Sequence, residues 1–139
     1  MRYKDKEEYI KWLHTVKVGD EVCTHHYRNG SCDDYYFFVV VKFTKTQVIC
    51  HVKDNASHEK RFRREDGREI GSDSFTRIEE ADHEVYQEVH RQNLARHVGT
   101  FAERVDRNCY KLNVYELEQL YSVLLPIYQR LKEGDKNER

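Results

Sequence analysis

The chain has 139 residues, and its 24 basic and 25 acidic side chains leave a formal net charge of −1 at pH 7. This balance excludes a polycationic protein that binds nucleic acid through its overall charge. The length suits one domain, or one small domain with a helical extension. Because no apolar run reaches the length of a membrane span and no signal-peptide segment follows Met1, we expect a cytoplasmic protein without a membrane partner.

Residues 5–15 have the pattern of a short helix. Asp5 is a suitable N-cap, and Glu8 follows it at the third position as in a capping box. Tyr9, Trp12 and Leu13 have the spacing of one buried face. We therefore predict a helix that packs against an open side of the following β structure.

Residues 16–80 are typical of a small, twisted antiparallel β-barrel. Its first strand begins at Val18-Gly19-Asp20-Glu21-Val22, where a turn pair precedes alternating apolar residues. Asn29-Gly30 is a strong hairpin signal, because both residues tolerate positive φ. Four further strands are predicted at 35–43, 47–53, 59–64 and 68–71.

Helical periodicity begins at Asp82, which is predicted to cap the first of two helices. In the first predicted helix, which runs towards residue 106, apolar residues recur with 4-3-4 spacing at Leu94, Val98, Phe101 and Val105. Asn113 with Glu116 begins a second helix, which Pro126 is expected to kink or divide. Residues 133–139 are expected to form a disordered tail.

The second helix has a broad apolar face that needs a cover. Its members are Leu117, Leu120, Tyr121, Leu124 and Leu125. The first long helix, the barrel or a second subunit would each supply that cover. Self-association through the C-terminal helices is therefore one expectation for this chain.

The order of these segments resembles a known group of proteins. Val18-Gly19-Asp20-Glu21-Val22, an aromatic strand, Thr44-Lys45-Thr46-Gln47-Val48 and then residues 61–71 resemble the SH3-like small barrels, KOW-type modules included, of small phage and prophage proteins. The resemblance covers about residues 16–71, and the later helices are similar to the helical tails of such proteins. It implies a phage or prophage setting and a barrel that binds RNA, DNA or protein surfaces.

The complete expectation for the fold is an α+β protein. It has an N-terminal helix, a five-stranded SH3-like antiparallel barrel and a C-terminal helical hairpin. We expect two regions: residues 1–80 with the first helix and the barrel, and residues 81–139 with the helical region and its tail.

Metal ligands cluster around the first predicted hairpin. Cys23, His25, His26 and Cys32 would supply the two sulfur and two nitrogen ligands of a zinc site. Their spacing matches no familiar zinc knuckle, and His25 and His26 point to opposite faces of a regular strand. We therefore predict no metal and no cofactor, and we interpret the cysteines as buried apolar side chains.

A basic strand and several tyrosines are the candidate binding residues. Cationic side chains contact phosphates, and tyrosine rings stack on bases or fill protein interfaces. The candidates are Lys60, Arg61, Arg63, Arg64 and Arg68 on or near the fourth strand, and Tyr27, Tyr35 and Tyr36 around the hairpin. The acidic residues Glu59, Glu65, Asp66 and Glu69 interleave with the basic ones and cancel much of the local field.

Two functional hypotheses remain, and neither is enzymatic. The chain has no Gly-x-Ser-x-Gly elbow, phosphate loop or dinucleotide fingerprint, so we predict that it is not an enzyme. The preferred hypothesis is a phage-encoded accessory factor of the host-takeover or counter-defence type that binds a protein. The alternative is a nucleic-acid-binding module that uses the basic strand and the tyrosines.

Overall fold

The protein is an α+β molecule, as expected, and its computed structural model describes residues 3–26, 34–72 and 75–137. Its elements are α1 (Lys6–Thr15), β1 (Glu21–His26), β2 (Asp34–Phe43), β3 (Gln47–Val52), β4 (Asn55–Arg63), β5 (Ile78–Glu80), α2 (His83–Asn108) and α3 (Val114–Asn137), with a 3-10 turn at Cys109–Lys111. The chain divides into two compact units, Met1–Gln92 (unit 1) and Asn93–Arg139 (unit 2). The division at residue 80 stays a prediction.

The first helix is confirmed together with its cap. Asp5 has extended backbone angles, and its carboxylate accepts a hydrogen bond of 2.8 Å from the amide of Glu8. This bond satisfies one of the amides that a helix N-terminus leaves without an internal partner. The predicted apolar face is also present, because Tyr9 and Leu13 are buried.

In the described part of the chain, the strands form one antiparallel sheet in the order β4-β3-β2-β1-β5. Alternate residues of a strand lie on opposite faces, so the register decides which side chains share a face. We call the face that packs against α1 the inner face. Its buried apolar side chains are Val22, Phe38, Val40, Val48, Cys50, Phe62 and Ile78, which form one cluster with Tyr9 and Leu13.

The predicted fifth strand is wrong in position. Residues 68–71 make isolated bridges, Phe62 with Glu69 and Arg68 with Arg77, and the last strand of the sheet is β5. The segment stays short because Gly67 and Gly71 at its ends have positive φ, which interrupts an extended run. Amides and carbonyls of residues 67–70 nevertheless hydrogen-bond to both β4 and residues 76–78. The sheet is not closed, so the SH3-like barrel is not confirmed.

The outer face of the sheet holds the start of α2 within unit 1. The Asp82 carboxylate accepts from the amide of Val85 at 3.1 Å, which confirms the predicted cap. The Tyr86 ring then stacks on Phe37 with centroids 4.8 Å apart. Two further contacts hold Tyr86, whose hydroxyl donates to Glu21 and accepts from Lys53 at 3.0 Å.

The helices of unit 2 differ from the prediction in two respects. The Asn113–Glu116 capping box is present, with reciprocal bonds of 2.9 and 3.0 Å. However, α3 runs through Pro126 as one helix, so the expected division is wrong, because a proline removes one hydrogen bond from a helix that has many others. A kink at Pro126 stays a prediction. It also reaches Asn137, so residues 133–137 are helical and not a disordered tail. The hairpin arrangement of α2 and α3 is not confirmed.

Among the described residues, no helix is both long enough and apolar enough to cross a membrane.

Candidate binding site

A cleft of about 480 Å³ opens at one end of the inner face. Four strands and the segment after β4 contribute its walls, which are Thr24, His26, Asp34, Tyr36, Phe37, Phe38, Val52, Lys60 and Glu69. The register explains why most of these side chains meet, because Thr24 pairs with Tyr36, and Phe38 pairs with Val52. Side chains from paired positions point to the same side of a sheet. Phe37 differs from them, since its ring lies on the outer face against Tyr86.

The cleft has an apolar floor and an aromatic wall. Phe38 is buried and lies edge-on against Phe62, with ring centroids 5.7 Å apart, so the floor is continuous with the core. Tyr36 is 49% exposed and meets the His26 ring edge-on at 5.1 Å. A tyrosine that is packed on one side and open on the other is suited to an interface, because it adds contact area at a small entropic cost.

An ion pair closes the opposite side of the cleft. The Lys60 ammonium lies 2.5 Å from the Glu69 carboxylate, and the Glu69 side chain is only 11% exposed. The bridge between Phe62 and Glu69 fixes the backbone of Glu69 beside β4, which places its carboxylate next to Lys60. The ion pair therefore forms a polar wall without net charge.

The structure brings two of the predicted binding residues together and separates the others. Tyr36 and Lys60 line the same cleft. Tyr35 lies on the outer face, where its ring stacks on His25 with centroids 4.4 Å apart. Tyr27 lies outside the described residues.

The remaining basic candidates are occupied by contacts within the chain. Arg61 pairs with Glu59 at 2.6 Å, and both Arg63 and Arg68 pair with Asp66. These pairs place a carboxylate where a phosphate would have to bind, so the strand has a weaker positive field than its composition indicates. The function of these arginines stays a prediction.

Arg64 takes part in a separate basic groove of about 660 Å³. The groove is lined by His14, Lys45, Thr46, Gln47, Arg63, Arg64, Glu65 and Ile70. The Arg64 guanidinium lies over the Phe43 ring at 5.1 Å and donates to the carbonyl of Thr44 at 3.3 Å. Among the described residues it is thus held in place by an aromatic ring and a carbonyl, and not by a carboxylate.

The metal candidates do not form a ligand set within the described residues. Cys23 is buried, and its thiol donates to the carbonyl of Glu80 at 3.7 Å. Successive strand positions place His25 and His26 on opposite faces, where they contact Tyr35 and Tyr36 respectively. Cys32 lies outside the described residues. In the part of the chain that the structure describes, no three His, Cys, Asp or Glu side chains are grouped for a metal.

Burial also controls the thiol of Cys50 on the inner face. Desolvation raises the pKa of this thiol to about 12, so it stays protonated at neutral pH. A protonated thiol in the core is a poor nucleophile, because the thiolate is the reactive form. The burial of Cys23 and Cys50 agrees with the interpretation of the cysteines as buried apolar side chains, whereas Cys109 is exposed, so the interpretation is wrong for Cys109.

Sequence reasoning missed the cleft as a unit. Glu69 was identified only as a neutralising acid, and Thr24 and Val52 were not identified at all. Alternation along β2 would have placed Tyr36 and Phe38 on one face. The position of Glu69 beside Lys60 depends on a bridge between segments that no local pattern predicts.

A comparison with protein families gives one finding. The family model described as the Phage ProQ C-terminal-like domain matches residues 1–136. This match confirms the phage relationship that the resemblance implied, whereas the KOW-type assignment is not confirmed. No curated protein and no solved structure matches the chain.

Proposed function

The chain belongs to the Phage ProQ C-terminal-like domain family, and we propose that it is a non-enzymatic module that binds a protein partner through the inner-face cleft. The observation that carries this proposal is the combination of an apolar floor at Phe38 with the half-exposed ring of Tyr36. Protein interfaces have this anatomy, in which a small apolar centre lies within a polar rim.

The polar groups of the cleft also favour a protein over a nucleic acid. Lys60 is neutralised by Glu69, and Asp34 adds an acidic side chain to the same cleft. A phosphate that approached Lys60 would meet both carboxylates, which repel it. An uncharged side chain of a protein partner meets no such cost, and an aromatic or aliphatic group would bury the exposed edge of Tyr36.

Capture from a bacterial lysate tests this proposal. The wild-type chain, Tyr36→Ser and the control Tyr110→Ser would be immobilised, because Tyr110 is also exposed but lies outside the cleft. With nuclease present, the wild type and the control should retain the same protein, and Tyr36→Ser should retain about tenfold less, as expected for the loss of an interface anchor. Equal retention by all three proteins would contradict the proposal, and so would loss of the captured protein after nuclease treatment.

The basic groove supports a second candidate function, the binding of single-stranded nucleic acid. Among the described residues, Lys45 in this groove makes no ion pair, and Arg64 is held without a carboxylate. Cations without a carboxylate partner are suited to phosphate contacts, whereas the arginines of β4 that pair with carboxylates are less suited to them.

A salt series with a labelled oligonucleotide tests the second candidate. Lys45→Glu should weaken binding and reduce the slope of log affinity against log salt by about one unit, because one phosphate contact is lost. Lys42→Glu is the control, since Lys42 is exposed but does not line the groove. If both variants weaken binding equally, a site in the groove is excluded.

A further inference from the structure

The apolar face of α3 is exposed, although the helix is 24 residues long. Its exposed members are between 40% and 66% accessible and comprise Leu117, Tyr121, Leu124, Ile127, Tyr128 and Leu131. Most helices in proteins are stabilised by burying such a face, because helix propensity alone is marginal in water. An unpaired helix of this kind therefore needs a cover.

These side chains form one continuous stripe. At about 100° per residue, every member lies within about 60° of Leu124 around the helix axis, and half-buried Leu120 belongs to the same stripe. The stripe extends for about 21 Å along the axis, from Leu117 to Leu131. Pro126 lies on the opposite side of the helix, so it does not interrupt the stripe.

The sequence of the stripe is symmetric about Leu124. Positions at equal distances before and after it are apolar in each case, and the pairs are Leu117 with Leu131, Leu120 with Tyr128, and Tyr121 with Ile127. When a helix pairs with an antiparallel copy of itself around a two-fold axis, each residue faces the position related to it by this symmetry. A two-fold axis at Leu124 would thus place apolar side chains opposite each other along the whole stripe.

The charges beside the stripe decide between the two directions of pairing. Glu116 and Glu118 lie near the start of α3, and Arg130 and Lys132 lie near its end. In an antiparallel pair, Glu116 comes within one helical turn of Arg130 of the second copy, and Glu118 comes equally close to Lys132 of that copy. A parallel pair would align like charges, which repel each other.

The exposed area is also large enough for a stable pair. At these exposed fractions, the side chains of the stripe present on the order of 600 Å² per chain, and a standard interface buries roughly 800 Å² per partner. The flanking charged residues would supply the remaining area as a polar rim.

We propose that α3 is a homodimerisation helix, which pairs antiparallel with α3 of a second copy around a two-fold axis at Leu124. The stripe shares no residue with the lining of the inner-face cleft, so the proposal does not depend on the proposed function. It commits to a second copy because the symmetry of the stripe and of its charges would have no role with an unrelated partner.

Sedimentation equilibrium between about 1 and 100 µM tests this proposal. The wild type should approach twice the chain mass of 16.8 kDa. Leu124→Asp should raise the dimer dissociation constant at least about 100-fold, because the axis brings two carboxylates together in an apolar seam. Val123→Asp is the matched control, since Val123 is exposed on the same turn but lies outside the stripe; circular dichroism checks that both variants fold.

A charge reversal distinguishes the direction of pairing. Glu118→Lys should weaken the dimer, because two positive charges then lie close together. The double variant Glu118→Lys with Lys132→Glu should restore it, because positions 118 and 132 of the two copies again carry opposite charges. A monomeric wild type at the highest concentration, or a dimer that Leu124→Asp leaves unchanged, would overturn the proposal. Failure of the double variant to restore the dimer would overturn the antiparallel arrangement.

Discussion

In unit 1 the apolar side chains of the strands face one another and α1, whereas in unit 2 those of α3 face solvent. Phe62 is 0% exposed and Tyr121 is 66% exposed, although both belong to regular apolar patterns in the sequence. The difference shows that a periodic pattern specifies a face to be buried but does not specify what buries it. In unit 1 the cover comes from distant parts of the same chain, and for α3 we propose a second chain.

The largest expected effect compares Phe62→Ala with Phe101→Ala. Phe62 packs edge-on against Phe38 in the core, so its truncation should lower the free energy of unfolding of unit 1 by about 3–5 kcal/mol. Phe101 is 65% exposed, so its truncation should change the free energy of unfolding by less than about 0.5 kcal/mol. Urea denaturation followed by fluorescence of Trp12, which packs against the core of unit 1, and by circular dichroism measures both variants. Similar losses in the two variants would contradict this comparison.

The next effect concerns the contact between α1 and the turn after β4. Gly67 has a φ of +70°, and a Cβ at this position would lie 1.9 Å from the Tyr9 hydroxyl. Gly67→Ala should therefore cost about 2–4 kcal/mol, from backbone strain and overpacking together. Gly71→Ala is the matched control, because it has a positive φ with nothing within 4 Å, and should cost about 1 kcal/mol.

A double-mutant cycle with Tyr9→Phe sharpens that result. The Tyr9 hydroxyl donates to the carbonyl of Ile78 at 2.8 Å, so its removal should cost about 1 kcal/mol. It also removes the atom that an alanine at position 67 would meet. The double variant should therefore lose less free energy of unfolding than the sum of the single variants, by more than about 0.5 kcal/mol. Additive losses would show that strain alone explains Gly67→Ala.

The smallest effect is a pH dependence of unit 1. The hydrogen bond from Tyr86, and then that from Lys53, lowers the pKa of Glu21. Because the folded pKa lies below the unfolded one, this contribution to stability is present above the unfolded pKa and is lost as the pH falls through the folded pKa. It should be small, since Glu21 and Lys53 are both partly exposed to water.

A carboxyl titration by NMR measures this effect directly. Tyr86→Phe should move the pKa of Glu21 upward towards its ordinary value, because it removes the strongest of the stabilising hydrogen bonds. Tyr128→Phe, a change at an exposed tyrosine in unit 2, should leave that pKa in place. An unchanged Glu21 pKa in Tyr86→Phe would show that the Tyr86 hydroxyl does not act on this carboxylate.

Local signals in the sequence determined most of the secondary structure. The side chains of Asp5, Asp82 and Asn113 each accept a hydrogen bond from an amide three residues further along. Such caps can be predicted from sequence, because the two partners are close together in the chain. Runs of β-branched and aromatic residues predicted strands at 35–43 and 47–53, close to the β2 and β3 that the structure forms, because such residues suit a pleated, half-buried surface. The class of the fold follows from these elements.

The tertiary structure decided how distant segments combine. A bridge from β4 to residue 69 sets Glu69 beside Lys60. The fifth strand of the sheet is β5, and not residues 68–71 as the sequence predicted. These contacts depend on competition between segments far apart in the chain, which short-range patterns do not encode. The same reason applies to the exposed face of α3. Its apolar residues could be identified from sequence, but only the folded chain shows that α3 leaves them open.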